Sequence, residues 1–352
     1  PEKFKKSYDI DARVNQEVTA IHRDRKTIEV KDVSTGVTRE EAYDVLVLAP
    51  GAAPIRPKSI KGADRPEVYT IRNVVDIIRL KEGVASGEIR DVAVIGGGFI
   101  GIETAENLRK LGKQVTVIEA MDQILAPLDN DFVQMVQKEM MDHGVQVIVG
   151  DGVKEIDGSQ VLLASGKAVP AQAVVLAIGV APETGLARQA GLEIGETGGI
   201  KVDHNYRTSD ENIYAVGDAI EVFQQLTQKP GRLALAGPAL RQARAAADSM
   251  YGRPCANKGV IGSCAIRVFD LNIAATGLNE KAARKAQIPY DFAYVIPSDK
   301  VGIMPQSAPM HFKLLFQVPT GKILGAQAIG KGNVDFLGII NCSLSFVNFI
   351  SN

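Results

Sequence analysis

The segment from Asp91 to Glu119 constrains the fold of this 352-residue chain more than any other part of the sequence. An apolar run over 92–95 leads into the glycine-rich turn 96–101, a stretch with helical periodicity follows, and a second apolar run over 115–118 ends at Glu119. A strand, a glycine turn, a helix and a second strand in this order make a βαβ unit, which needs a parallel sheet. The segment therefore predicts an α/β fold.

The glycine spacing of this unit is typical of a dinucleotide-binding turn. Gly96 permits the tight turn, Gly98 lets backbone N–H groups approach a pyrophosphate, and Gly101 lets the helix pack close to the sheet. The helix N-terminus offers unsatisfied N–H donors to the anion. Glu119 lies 18 residues after Gly101, where a carboxylate accepts from a ribose 2′-hydroxyl and repels a 2′-phosphate. We therefore expect NADH to bind here, and NADPH to bind less well. The residues of the turn that we expect to contact NAD are Gly96, Gly97, Gly98, Phe99, Ile100 and Gly101.

The charge balance excludes two classes of partner. Lys plus Arg number 40 and Asp plus Glu number 41, so the chain lacks the basic surplus that nucleic acids or anionic membranes attract. Its longest weakly polar run, 336–350, is too short to span a bilayer. We therefore expect neither a nucleic-acid partner nor a membrane partner.

The cysteines and histidines predict a reducing compartment and no metal site. Three cysteines without a CxxC motif cannot all pair, which favours the cytoplasm over an oxidising compartment. Four scattered histidines show no spacing typical of metal ligands. These residues are Cys255, Cys264, Cys342, His22, His143, His204 and His311.

Periodicity and turn residues predict further elements on both sides of the βαβ unit. Before it we expect a helix end, a strand hairpin, a buried strand and a helix; after it, alternating helices and strands, and an α+β region beyond Gly259. The predicted strands are 14–21, 27–33, Tyr43–Ala49, 145–149, 153–156, 161–163, 174–178 and 200–202, and the predicted helices are 1–8, 73–82, 130–142, 238–250 and 280–286.

Motifs outside the unit resemble those of the pyridine nucleotide–disulfide oxidoreductases. The turn 48–54 resembles the crossing from the FAD domain to the NAD domain, and 176–182 resembles the return crossing. The strand that ends in Gly217-Asp218 resembles the second flavin motif, in which the aspartate bonds a ribitol hydroxyl of FAD. The resemblance thus implies FAD as a second cofactor.

Two more motifs complete the likeness. Leu235–Pro238 with Arg241-Gln242 resembles the helix whose positive N-terminus points at the flavin. The stretch 268–280 resembles the interface domain. The likeness is greatest to coenzyme A–disulfide reductases and NADH-dependent persulfide reductases, and these motifs follow one another in the family's order.

The resemblance assigns roles to individual residues. Glu103, which we place in the first turn of the helix, lies near the nicotinamide in related enzymes, although it could simply complement the helix dipole. Phe99 corresponds to an aromatic that covers the flavin, although it could equally be core. Gly179 belongs to the return crossing. The residues that we expect to contact FAD are Pro50, Gly51, Gly217, Asp218, Ala236, Gly237 and Pro238.

The implied architecture is two interleaved Rossmann-like domains plus a shortened α+β interface domain. The FAD domain would comprise 1–85 and 199–256 and be incomplete, the NAD domain 86–198 and be complete, and the interface domain 257–352. The FAD pyrophosphate turn and the redox cysteine of the family are not found, so we expect them upstream of Pro1. No cysteine of this chain fits the catalytic role, and the tail from 336 departs from the family pattern.

Three functions remain open from the sequence. The first is an NADH- and FAD-dependent reductase of a disulfide or persulfide such as coenzyme A disulfide, expected to be a homodimer when intact. The second is an NADH oxidase or peroxidase of the same architecture. The third is a non-catalytic fragment that binds NADH.

Overall fold

The computed structural model describes residues 1–85, 87, 89–254, 259–332 and 334. The helices are α1 (Glu2–Tyr8), α2 (Val74–Ala85), α3 (Phe99–Lys110), α4 (Asn130–Asp142), α5 (Gly185–Gln189), α6 (Ala236–Met250), α7 (Glu280–Lys285) and a 3₁₀ turn, Gly217–Ala219. The strands are β1 (Gln16–His22), β2 (Thr27–Asp32), β3 (Thr38–Ala42), β4 (Leu46–Leu48), β5 (Ala52–Pro54), β6 (Val68–Thr70), β7 (Asp91–Ile95), β8 (Gln114–Glu119), β9 (Val145–Val149), β10 (Val153–Ile156) and β11 (Gln160–Leu163). The remaining strands are β12 (Ala168–Pro170), β13 (Ala173–Leu176), β14 (Val180–Pro182), β15 (Ile213–Ala215), β16 (Val222–Gln224), β17 (Lys229–Gly231), β18 (Ser263–Val268), β19 (Leu271–Gly277), β20 (Tyr290–Val295), β21 (Met310–Gln317) and β22 (Ile323–Gly330).

The chain forms two compact units. The first comprises Pro1–Ala53 and Ala181–Val260, and the second comprises Pro54–Val180 and Ile261–Asn352. Each unit is therefore built from two separate stretches of sequence. Each helix within the described ranges is too short or too polar to span a membrane.

The centre of the second unit is a five-stranded sheet in the order β6-β13-β7-β8-β9. All four of its pairings are parallel. Since α3 leads from β7 to β8 on one side while β13 lies on the other, the strand order reverses at β7. In sheets of this kind, ligands bind outside the carboxyl ends of the strands at such a reversal.

Both faces of this sheet are covered. Alternate residues such as Val94 and Val117 pack with α3 and α4 on one face. Their neighbours Ile95 and Ile118 pack against the antiparallel strands β10-β11-β12 on the other. Burial on both faces explains why the strand sequences are nearly continuous apolar runs.

The C-terminal part of the second unit is an antiparallel sheet in the order β18-β19-β22-β21-β20. The turn of its first hairpin docks on the two helices. The backbone N–H of Phe269 donates to Glu106 of α3 at 2.9 Å, and that of Asp270 donates to Glu139 of α4 at 3.0 Å. Two buried carboxylates thus fix this sheet against the helical face.

The first unit contains an antiparallel sheet β1-β2-β3 and a parallel pair β4-β15. Its core joins Leu48 of β4, Ile213 of β15, Ile200 and Ala246 of α6. The parallel pairing places the ends of β4 and β15 at one edge, where the predicted flavin turns begin.

The α/β fold class is confirmed, and several predicted elements agree closely with the structure. The helix 130–142 and the strand 145–149 have the predicted bounds. The buried strand Tyr43–Ala49 was wrong in extent, because only Leu46–Leu48 is a strand and Val45 and Val47 are exposed. At the predicted strand 200–202, only Ile200 forms isolated bridges. The three-part division into domains stays a prediction.

Candidate functional site

The glycine turn lies at the carboxyl end of β7, at the strand reversal. Gly96 has a φ of 109°, which side-chain-bearing residues rarely adopt. A Cβ on Gly101 would overlap the carbonyl oxygen of Gly96, whereas a Cβ on Gly98 would have no atom within 4 Å. Backbone geometry and packing therefore require the first and third glycines, and the middle one faces open space in which a phosphate can approach the backbone.

The first turn of α3 supplies donors for that anion. Gly98 is the N-cap residue in an extended conformation, and no side chain caps the helix. The first N–H groups of a helix have no intrahelical partner and carry the positive end of its dipole. Phe99 is half-buried against the helical core, and Ile100 is exposed. The structure thus fits a dinucleotide pyrophosphate at this turn.

Glu119 is held at the glycine turn by two backbone hydrogen bonds. Its Oε2 accepts from the N–H of Gly97 at 2.7 Å, and its Oε1 accepts from the N–H of Met121 at 2.8 Å. Each carboxylate oxygen has a second lone pair for a further donor. The sequence placed Glu119 at the end of β8 but did not reveal that it also orders the turn.

Two further residues, Glu103 and Gly179, were predicted to contact NAD. Glu103 is the fifth residue of α3 and is exposed, so the prediction that it lies in the first helical turn was wrong. At that depth a carboxylate has little effect on the helix dipole. Gly179 follows β13, next to β7, and its carbonyl accepts from the N–H of Ile55 at 3.1 Å. It therefore lies at the same carboxyl edge as the glycine turn.

The second candidate site is the edge where β4 and β15 end, in the first unit. The N–H of Val216 donates to the carbonyl of Leu48 at 3.0 Å, and the N–H of Gly217 donates to Oε1 of Gln242 at 2.7 Å. Asp218 is half-buried, and its carboxylate has no hydrogen-bond or ion-pair partner within the described part of the chain. This acceptor is thus open to a ligand hydroxyl.

The helix α6 packs against this turn. It begins at Ala236, two residues before the predicted start, and Pro238 is buried while Ala236 and Gly237 are exposed. No side chain caps its N-terminus, so its first N–H groups are open to a ligand. On the neighbouring crossing turn after Pro50, the carbonyl of Gly51 accepts from the N–H of Glu183 at 3.0 Å. The predicted flavin residues therefore lie on elements of one unit.

Cys264 is the one cysteine among the described residues, and it lies in β18. Burial raises the pKa of its thiol to about 11. A protonated, partly buried thiol is a poor nucleophile, which agrees with the expected structural role. Cys255, Cys342 and the tail from 336 lie outside the described residues.

Comparison with known proteins identifies the family. The model of the family "Pyridine nucleotide-disulphide oxidoreductase" matches residues 2–243, and that of its dimerisation domain matches residues 264–346. The chain belongs to this family. The resemblance inferred from the glycine turns and crossings is thereby confirmed.

The most similar curated relatives include different activities. The coenzyme A disulfide reductase of Staphylococcus epidermidis is 27% identical over 336 residues, which are 95% of this chain and 75% of the relative. The NAD(P)H sulfur oxidoreductase (CoA-dependent) of Pyrococcus abyssi is 31% identical, covering 94% and 74%. An NADH oxidase of Methanocaldococcus jannaschii is 32% identical, covering 95% and 75%.

Solved structures show the same range. Reduced CoADR-RHD of Bacillus anthracis matches with a TM-score of 0.95 and 41% identity, over 99% of this chain and 63% of that chain. The NAD-dependent persulfide reductase of A. fulgidus matches with a TM-score of 0.94 and 34% identity, over 99% and 64%. An engineered water-forming NADPH oxidase derived from the Lactobacillus brevis NADH oxidase matches with a TM-score of 0.92 and 28% identity, over 99% and 77%. The chain thus spans less than two thirds of two of these proteins.

Proposed function

We propose that this chain forms the NADH-binding part and a share of the FAD-binding part of an oxidoreductase that reduces a disulfide or persulfide, such as coenzyme A disulfide. The carrying observation is the glycine turn at β7 together with Glu119, which Gly97 and Met121 hold in place. Bound FAD would supply the redox chemistry between NADH and sulfur. The protein binds and orients the two cofactors.

The preference for NADH rests on Glu119. Its fixed carboxylate can accept from a ribose 2′-hydroxyl, whereas a 2′-phosphate would meet like charge. The engineered NADPH oxidase supports this assignment. Its substitutions include a glycine and, eighteen positions later, an Asp-Ala-Met run, the spacing at which Gly101 and Glu119-Ala120-Met121 occur here. The parent oxidase was solved with NADH and the engineered one with NADPH.

The flavin assignment rests on Asp218 and α6. The Asp218 carboxylate can accept from a ribitol hydroxyl, and the uncapped helix N-terminus of α6 favours a partly anionic ring. Gln242 fixes the turn by accepting from the N–H of Gly217.

We propose a cytoplasmic location and a homodimer for the intact protein, in keeping with the matched dimerisation domain.

The second part of the proposal concerns the electron acceptor. Relatives named for coenzyme A disulfide, sulfur and persulfide favour a sulfur acceptor. The oxidase of M. jannaschii favours oxygen as the alternative. The partly buried thiol of Cys264, with its raised pKa, is unsuited to either reaction, so a reactive thiol would come from another residue.

Cofactor binding is tested on the purified full chain by absorbance after adding FAD and by NADH titration. We expect a bound-flavin spectrum that Asp218→Ala diminishes while NADH binding is kept. We expect Glu119→Arg to shift preference toward NADPH, because a guanidinium pairs with the 2′-phosphate. Unchanged relative affinities for the two dinucleotides in Glu119→Arg would refute the ribose role.

The acceptor is tested by NADH consumption with coenzyme A disulfide under anaerobic conditions, against oxygen alone. Turnover that depends on the disulfide supports the reductase, and equal turnover with oxygen alone supports the oxidase. A chain that binds NADH but never retains flavin would instead support the non-catalytic alternative.

A further inference from the structure

A cluster of three side chains that can bind metal lies away from the dinucleotide turn, in the second unit. Glu139 and His143 lie one helical turn apart at the C-terminal end of α4, and Asp270 lies at the turn between β18 and β19. One possible ligand atom of each lies within 4.8 Å of the other two. Since α4 leads into β9, its C-terminal end lies at the amino edge of the parallel sheet, opposite the glycine turn. The cluster is therefore separate from the NADH site.

We propose that Glu139, His143 and Asp270 bind a first-row transition-metal dication, with Zn²⁺ as its typical occupant. One imidazole and two carboxylates form a ligand set that suits Zn²⁺ and its neighbours. Ca²⁺ and Mg²⁺ prefer ligand sets made of oxygen alone. Three protein ligands leave a fourth tetrahedral position for water. No pattern of histidines in the sequence predicted this site, because the partner of His143 is a glutamate four residues earlier.

The side chains of Glu139 and His143 are each constrained by a contact with the turn between β18 and β19. Oε1 of Glu139 accepts from the N–H of Asp270 at 3.0 Å, and its side chain is buried. The ring of His143 stacks on Phe269, with centroids 4.2 Å apart and planes at 10°. Nδ1 of His143 lies 3.7 Å from Oε1 of Glu139, close to the ~3.4 Å that tetrahedral zinc bond lengths impose on two ligand atoms. The exposed side chain of Asp270 can then move to complete the set.

Metal binding competes with two existing interactions. Nδ1 of His143 hydrogen-bonds the carbonyl of Glu139 at 2.9 Å; when the metal replaces the hydrogen on Nδ1, that hydrogen moves to Nε2. Nζ of Lys331 lies 3.9 Å from Oε2 of Glu139. The guanidinium groups of Arg109 and Arg267 donate to the carbonyls of His143 and Phe269 and add positive charge nearby. These charges lower the affinity, so Lys331→Gln is expected to raise it.

The test titrates ZnCl₂ into the full chain, stripped with EDTA and then dialysed, by calorimetry. We expect saturable binding of one Zn²⁺ that is weakened at least ~10-fold in His143→Gln and in Asp270→Asn, because each loses a direct ligand and the loss of even an outer-shell partner typically weakens binding by that much. Lys331→Gln should bind more tightly than the unchanged chain. His22→Gln, which removes an imidazole from β1 in the other unit, is the matched control and should bind like the unchanged chain.

Cobalt identifies the ligands. We expect Co²⁺ to give visible d–d bands that His143→Gln abolishes. Intense near-ultraviolet thiolate absorption retained in His143→Gln would place the metal on cysteine and overturn the proposal. Equal Zn²⁺ affinity in the unchanged chain and in both ligand variants would overturn it too, as would no saturable binding at millimolar Zn²⁺. If His143→Gln unfolds, Asp270→Asn still tests the site. The Asp270 side chain is exposed, and the variant keeps the backbone N–H that bonds Glu139.

Discussion

Replacing Lys313 with Met should destabilise the second unit more than any change to a surface charge. Lys313 lies on β21 with only 3% of its side chain exposed. Its Nζ lies 2.6 Å from Oε1 of Glu280 and 3.1 Å from a carboxylate oxygen of both Asp129 and Asp131. It also lies 4.4 Å from the ring centre of Phe292. The ammonium thus contacts three carboxylates, of which Glu280 also pairs with Arg284 at 2.7 Å.

The magnitude follows from what remains after the substitution. Asp129 is as buried as Lys313, and Glu280 is largely buried. Asp129 keeps hydrogen bonds from Gln327 and from the N–H of Glu280, at 2.8 Å each, but loses its counter-charge. Removing one partner of a buried ion pair typically costs ~3–5 kcal/mol. We expect Lys313→Met to lower the free energy of unfolding by about that amount.

The assay is urea unfolding followed by far-ultraviolet circular dichroism, because the chain contains no tryptophan. Lys138→Met is the matched control in the same unit. Lys138 pairs with Asp142 at 2.5 Å, but the two side chains are 73% and 56% exposed. Exposed helical pairs contribute only ~0.3–0.5 kcal/mol. Equal losses of stability in the two variants would show that the buried cluster does not stabilise the fold.

The difference in unfolding free energy between the unchanged chain and Lys313→Met should change with pH in a definite direction. Burial alone lowers the pKa of Lys313, but the hydrogen bond to Glu280 and the charge of Asp129 outweigh it and raise the pKa above 10.5. Burial alone raises the pKa of Glu280, but hydrogen bonds from Lys313 and Tyr290 hold it below 4.5. The Lys313 ammonium contributes its full stabilisation below pH 10.5, and the Glu280 carboxylate contributes its full stabilisation above pH 4.5. The stability difference between the unchanged chain and Lys313→Met should therefore be constant from pH 6 to pH 9 and decrease as the pH falls through the lowered pKa of Glu280.

Three further predictions concern binding, reactivity and local structure. Gly98→Ala should change the free energy of unfolding by less than ~0.5 kcal/mol, because the added Cβ enters open space. It should weaken NADH binding, because that space is where the phosphate approaches. Equal NADH affinity of the two proteins, measured by calorimetry, would contradict this. In a background without Cys255 and Cys342, Cys264 should resist iodoacetamide at pH 8, because burial raises its pKa to about 11. Rapid alkylation of the native protein, monitored by mass spectrometry, would disprove this argument. Asn279→Ala should cost at least ~1 kcal/mol in urea unfolding, because Oδ1 of Asn279 accepts from the N–H of Ala282 at the start of α7 and its Nδ2 donates to the carbonyls of Ala126 and Leu128. An unchanged midpoint would show that these hydrogen bonds do not stabilise the fold.

Local sequence predicted the elements whose periodicity is strong. The helix α4 and the strand β9 were predicted with their bounds, because an amphipathic stretch ends at Gly144 and an apolar run follows. The strand β3, with the sequence TREEA, was missed, because an exposed strand carries little apolar signal. The exposure of Val45 and Val47 was also missed, because local sequence cannot tell which face of a strand is covered.

The sequence by itself determined the βαβ unit, the positions of its three glycines and the carboxylate at the end of the second strand. These follow from local rules, since a glycine turn and a terminal acid act within one short segment. Only the tertiary structure decided that Glu119 bonds Gly97, that Lys313 meets three carboxylates, and that Asp270 joins Glu139 and His143. Such contacts join residues far apart in the chain, and their partners are set by how the layers pack rather than by any local pattern.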